Sequence, residues 1–243
     1  MLCDSDLLQL WEDGARRHPV DRALLLLGAA HPDAPYATLA DWPLGSRNWA
    51  IGELRAACFG HGIHGWVSCP RCGDRLQFET DWRALAAAGG DGDRDRPIVV
   101  GARAFRLPTS RDLARIAKEA DPHVAAIRLV EHCLLRSDDL SPNDSSPHDP
   151  AAWSDRELEE IGDRMAQADP LAETRLTLAC PSCGHGWEEN LDIAAFLWEE
   201  IEARAKRILF EIHRLASAYG WAEAQILALS ARRRALYLKM VHA

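Results

Sequence analysis

The chain has 243 residues and a net charge of −9, with 47% hydrophobic and 27% charged residues, the balance of an ordinary globular protein with room for one large domain or two small ones. An acidic total disfavours non-specific nucleic-acid binding, which needs a basic surface. The longest apolar run, residues 23–30, is too short to span a bilayer. The opening Met1-Leu2-Cys3-Asp4-Ser5-Asp6 lacks the basic segment and apolar run of a signal peptide, so the expected setting is a reducing bacterial cytoplasm, with no membrane partner. The charge is uneven. Residues 137–173 hold eleven acids and two arginines, while residues 193–243 hold eight Lys or Arg and five acids.

In chain order, Leu7, Leu8, Leu10 and Trp11 predict a helix over residues 6–18, which Pro19 ends or redirects. A second helix is expected over residues 20–30, an irregular piece over 37–42, and a third helix over 46–59 with Trp49, Ile51, Leu54 and Ala57 near one face. Residues 63–68 and 75–79 read as strands. Residues 88–97 are rich in Gly, Asp and Arg and read as a mobile loop. Residues 98–107 read as a hairpin or two short strands. Helices follow over 111–120, capped by Ser110, and over 123–135. Residues 137–150, rich in Ser, Asp and Pro, read as an acidic linker. A charged helix is expected over 155–168, then strands over 174–179 and 187–191. The strongest helical signal runs from Ile193 through Leu197, Ile201, Ile208, Ile212 and Leu215 to Tyr219, with Gly220 as its stop. A short helix over 222–229 and a last one over 232–241, capped by Ser230, complete the chain. Leu236 and Met240 lie on one side of that last helix, and Arg232-Arg233-Arg234 reads as a solvated start, with pairing to an acidic partner or to the chain's own acidic linker as alternatives.

The chemistry is concentrated in two strings, Cys69-Pro70-Arg71-Cys72-Gly73 and Cys180-Pro181-Ser182-Cys183-Gly184. Each pairs two thiols across a tight turn, and together they offer the four thiolates that a tetrahedral structural zinc takes. The 107 residues between Cys72 and Cys180 far exceed the ~15–20 of a compact two-knuckle ribbon. One zinc per chain on Cys69, Cys72, Cys180 and Cys183 would therefore tie distant parts together and leave no open position for catalysis. Free or buried thiols, and dithiol redox chemistry, stay open as alternatives. His185 is a candidate replacement ligand, and Cys58, His61 and His64 a candidate second cluster. Cys3 and Cys133 read as unligated thiols. No G-x-S-x-G, H-E-x-x-H or phosphate-cradling loop is present, so the chain reads as non-enzymatic, with no small-molecule substrate. Nine tryptophans are many for this length. Some read as core, and Trp198, Tyr219, Trp221, Arg233 and Tyr237 as candidate partner contacts.

Several strings carry a family resemblance: Leu10-Trp11-Glu12, His18-Pro19-Val20-Asp21-Arg22-Ala23-Leu24, the two knuckles, and Phe105-Arg106-Leu107-Pro108-Thr109-Ser110-Arg111-Asp112-Leu113. The ending, Ala218-Tyr219-Gly220-Trp221 with Ile226-Leu227-Ala228-Leu229-Ser230, Arg233-Arg234 and Tyr237-Leu238, is the most specific part. Together they resemble T4-like phage baseplate hub proteins and baseplate hub assembly chaperones of contractile, phage-tail-like injection systems. The resemblance implies no enzymatic activity, baseplate hub or spike proteins as partners, and incorporation into a phage-tail-like particle or release from it.

The fold expected is α+β, mostly helical, with a small zinc-ribbon-like β module built from the two distant knuckles. It divides into an N-terminal helical region (residues 1–60), the β module with inserted helices and the acidic linker of about 137–150 (residues 61–192), and a C-terminal helical region (residues 193–243), integrated as one domain. A zinc-ribbon nucleic-acid-binding or regulatory protein is the rival functional reading, and a thiol oxidoreductase the third.

Overall fold

The computed structural model describes residues 2–89, 96–135 and 153–241. Most of the expected mobile loop, and the whole of the expected linker at 137–150, lie outside the described residues. Helices α1 (Asp4–Gly14), α2 (Pro19–Ala30), the single turn α3 (Tyr36–Leu39) and α4 (Leu44–Phe59) lead into strands β1 (Gly62–Ser68) and β2 (Arg75–Asp81). Next come α5 (Trp82–Ala88), β3 (Ile98–Val100), β4 (Arg103–Phe105), α6 (Ser110–Ile116), α7 (Pro122–Cys133) and the two-residue β5 (Leu134–Leu135). Helix α8 (Asp155–Ala168), a 3-10 turn at Pro170–Ala172, β6 (Arg175–Ala179) and β7 (Gly186–Asn190) follow, then α9 (Ile193–Tyr219), α10 (Glu223–Leu227) and α11 (Ala231–Val241). The protein is thus mixed helix and sheet, with helix dominant. No helix among the described residues is long and apolar enough to cross a membrane.

The chain forms two compact units. One comprises Met1–Leu26 and Ala194–Ala243, the other Leu27–Ile193. The division cuts through α2, whereas the sequence reading kept residues 1–60 together. Both chain ends belong to one unit because α1 buries Leu8 with Ala205, Ile208, Ile212 and Leu215 of α9 and Ile226 of α10. These apolar positions recur at helical spacing, and burying them drives the assembly.

Pro19 opens α2 at a first-turn position, where its missing N–H costs nothing. Helix α1 ends earlier than expected, at Gly14, where a side chain would overlap the Trp198 ring. Gly220 ends α9 with φ of 68°, the left-handed conformation that favours glycine.

Among the described residues, the second unit holds three small antiparallel sheets, β1–β2, β3–β4–β5 and β6–β7. Its core cluster joins Ile98, Phe105, Leu107, Val130, Cys133, Ile161 and Met165. Thr109, rather than Ser110, caps α6, its backbone N–H and hydroxyl both donating to Asp112. Helix α7 stops at Cys133, and the two residues expected to continue it pair with β4 instead.

Helix α4 buries a different face from the expected one. Trp49 is 45% exposed, while Gly45, Asn48, Gly52 and Arg55 join Ile51 inside. The reason is steric and polar. Gly52 leaves room for the Trp82 ring, and Asn48 donates to the Leu171 carbonyl at 2.8 Å. Near the start of α4, Asp169 accepts from the Gly45 N–H at 2.7 Å, an anion placed at a helix N-terminus.

Candidate metal centre

Two hairpins of the second unit carry the cysteines at their turns. Strands β1 and β2 pair from Gly62↔Asp81 to Ser68↔Arg75, and β6 and β7 from Arg175↔Asn190 to Ala179↔Gly186. Alternating residues, Ile63, Val67, Leu76 and Phe78 in one hairpin and Leu176, Leu178 and Trp187 in the other, share the more buried face of each.

The turns are built alike. The Cys69 N–H donates to the Asp74 carbonyl at 2.9 Å, and the Gly73 N–H to the Cys69 carbonyl at 2.9 Å. In the second turn the Cys180 N–H donates to the His185 carbonyl at 2.8 Å, and the Gly184 N–H to the Cys180 carbonyl at 2.9 Å. Gly73 and Gly184 adopt φ of 75° and 70°, which a side chain would strain. The repeated C-P-x-C-G string is therefore a repeated backbone conformation that turns both sulfurs the same way.

The four sulfurs converge. The Cys69 and Cys183 Sγ atoms are 3.8 Å apart, the Cys72 and Cys180 Sγ atoms 3.6 Å, and all four lie within 4.8 Å of one another. Four sulfurs bound tetrahedrally at about 2.3 Å from an ion stand roughly 3.8 Å apart. The cluster has the shape and donor set to hold a metal ion, and it is the one such group among the described residues.

The four thiols do not ionise alike. Burial opposes ionisation of Cys69, but the backbone N–H groups of Cys72 and Arg71, with the Cys72 and Cys183 thiols, bring its pKa down to about 7. The Asp74 N–H favours the Cys72 thiolate, yet burial and the sulfurs of Cys183, Cys180 and Cys69 push its pKa up to about 12. The His185 N–H and the Cys72 sulfur favour the Cys183 thiolate, but burial and the Cys180 and Cys69 sulfurs outweigh them, so its pKa too is raised. Four adjacent thiolates repel one another until a positive ion sits among them.

One polar contact across the turns was not read from the sequence. The Ser182 hydroxyl donates to the Asp74 carboxylate, joining the variable residue of the second knuckle to the residue after the first. A hydroxyl at x in one string and a carboxylate just beyond the other were its only sequence signals.

The other candidates fall elsewhere. The His185 ring stacks on Trp187, with centroids 6.1 Å apart, and only its backbone serves the cluster. Cys58, His61 and His64 do not converge; His64 instead faces Glu79 at 3.8 Å. Cys133 is buried in the core cluster, and burial first, then the Asp112 charge, push its pKa up to about 12. Cys3 is exposed beside Ser5.

The candidate partner contacts separate as well. Trp198 is only 4% exposed, seated on Gly14 with the Arg22 guanidinium 4.8 Å from its ring centroid, so its face is spent inside its own unit. Tyr219, Trp221 and Tyr237 form one aromatic cluster, with centroids 4.7 Å apart for Tyr219–Trp221 and 4.9 Å for Trp221–Tyr237. Arg233 is exposed on α11, whereas its neighbour Arg234 is buried, contrary to the expected solvated start. Comparison of the chain with protein-family models, with curated proteins and with solved structures finds no match.

Proposed function

We propose that the chain is a non-enzymatic assembly chaperone or minor structural component of the baseplate hub of a contractile, phage-tail-like injection system. One structural zinc ion is held by Cys69, Cys72, Cys180 and Cys183. The observation that supports this reading best is the convergence of two knuckles separated by 107 residues into one closed set of four sulfurs. Zinc prefers four thiolates in a tetrahedron, and when bound it supplies the charge that lets them coexist. A set with all four positions taken by protein holds a fold together and offers no place for a substrate. The resemblance of the chain ends and knuckles to baseplate hub proteins names the assembly.

The protein acts in the bacterial cytoplasm, where its thiols stay reduced for the metal, and its partners are hub or spike proteins. The test is co-expression of the tagged chain with the hub and spike proteins of a contractile tail, followed by pull-down and by mass spectrometry of finished particles. Co-purification with hub proteins is expected. Presence in the finished particle makes the chain a component, and absence makes it a chaperone. Failure to retain any hub or spike protein at physiological salt would sink the proposal.

A further inference from the structure

The last helix, α11, carries two different faces. Its inner face is held in the unit by Arg234, which is 1% exposed, and by Tyr237 and Leu238, which pack on the core of α1, α9 and α10. Its outer face presents Leu236 and Met240, 49% and 62% exposed. At about 3.6 residues per turn these two form one stripe, with Arg232 and Lys239 along one side and Arg233 along the other. Ala231–Val241 contains no acid, and among the described residues no carboxylate pairs with Arg232, Arg233 or Lys239. In a chain of net charge −9, an apolar stripe framed by three cations is a local inversion.

The face is also preformed. Arg234 donates to Glu211, to Asp4 and to the Leu229 carbonyl, and the Ser230 hydroxyl accepts from the Arg233 N–H at 3.3 Å. The helix is fixed before a partner arrives, so binding orders little.

Charge and shape select the occupant. A second copy of α11 would bring cations against cations. A membrane-surface helix buries a broad apolar face, and here only two side chains are free. Nucleic acid gains nothing from Leu236 and Met240 at the centre of the stripe.

We propose that the outer face of α11 docks an acidic amphipathic helix of a partner protein. Leu236 and Met240 meet that helix's apolar stripe, and Arg232, Arg233 and Lys239 meet its flanking carboxylates. This deepens the assembly reading and rests on it only for the partner being a protein. The experiment therefore measures the surface directly, so its failure leaves the hub pull-down to be judged separately.

The probe is a synthetic helix of about 18 residues with a leucine stripe flanked by glutamates, long enough to hold helical structure. It is titrated into the isotope-labelled full chain and followed by NMR. Saturable shifts are expected over Ala231–Val241, with a dissociation constant below about 1 mM. The affinity should weaken about tenfold or more in Arg232→Glu/Arg233→Glu and in Leu236→Asp, should fall with added salt, and should not change in Lys118→Glu, an exposed position just after α6 in the other unit. These substitutions face solvent and leave the core intact, which circular dichroism verifies. The proposal is overturned if the acidic helix does not saturate, or if a lysine-flanked version binds equally well. It is equally overturned if phosphatidylserine vesicles or duplex DNA bind more tightly than the peptide, or if the variants abolish self-association instead.

Discussion

Arg234 donates from Nε to Glu211 at 3.0 Å, and both side chains are buried where α11 crosses α9. The same guanidinium reaches Asp4 of α1, which also accepts from Arg204 at 2.8 Å. Removing one member of a buried ionic group leaves the others desolvated and unpaired, at a cost of roughly 3–5 kcal/mol. Arg234→Ala is therefore expected to destabilise the first unit by that order in urea unfolding. Joint replacement of Asp4, Glu211 and Arg234 by apolar residues should recover much of the loss. A loss under about 1 kcal/mol in the single variant would show that the network contributes little.

Each unit contains a carboxylate that ties stability to pH. For Asp4, burial raises the pKa, but the bonds from Arg204 and Arg234 outweigh it and hold it below the ordinary 3.8. For Asp112, burial again opposes, and Arg106 and the Thr109 hydroxyl and N–H prevail. Arg106 grips Asp112 through two bonds of 2.6 and 2.8 Å. A depressed folded-state pKa gives stability that is complete above the unfolded value and lost as pH falls through the folded one. The part of the urea midpoints due to these two carboxylates should hold steady down to about pH 5 and be lost below the ordinary 3.8. Arg106→Gln should flatten the part of that drop due to Asp112. A midpoint that rises on acidification would contradict both assignments.

Elemental mass spectrometry of the purified chain should find one zinc per chain, and the Cys69→Ser/Cys180→Ser variant should find none. Because binding to a thiolate set is also folding free energy, on the order of 10 kcal/mol, the variant should lose its hairpin structure. Chelator should act on the second unit in the same way. A metal-free chain of undiminished stability would remove the zinc and return the dithiol alternative.

Two helix glycines should respond in opposite ways to alanine. At Gly52 a methyl group would overlap the Trp82 ring, whose Nε1 is anchored to Glu53 at 2.7 Å. Gly52→Ala should cost about 1–3 kcal/mol and alter tryptophan fluorescence. At Gly28 an added Cβ meets nothing within 4 Å, so Gly28→Ala should stabilise by about 0.5–1 kcal/mol through helix propensity. Equal effects at the two positions in thermal unfolding would refute this account of how α4 packs.

Much of the local structure was legible. The helical spacing of three, four and seven residues from Ile193 to Tyr219 and the stop at Gly220 reproduce α9, and Asp155–Ala168 falls on the expected helix. Both are amphipathic runs with clear end signals, in which local propensity and burial agree. Helix α4 falls on the expected helix, but its buried face was misread because glycines and buried polar groups share its contacts with the apolar residues. The residues after Cys133 were misread as helix because Leu134 and Leu135 carry no periodicity that distinguishes a last turn from a strand pairing with Ala104 and Phe105.

The candidate site divides along the same line. Residue order alone specifies two C-P-x-C-G turns, since cysteine spacing and a glycine with positive φ are properties of five adjacent residues. Bringing Cys72 to within 3.6 Å of Cys180 is a long-range event that depends on how the intervening helices and sheets pack. The same holds for Arg234, which lies beside two exposed arginines in the sequence but is buried against Glu211 and Asp4. Local strings carry turns, caps and amphipathic faces, because those depend on neighbours within a turn or two of chain. Which sulfurs share a cluster, and which of three adjacent arginines is buried, follows from contacts between residues 23 to 230 positions apart, and those exist only in the folded chain.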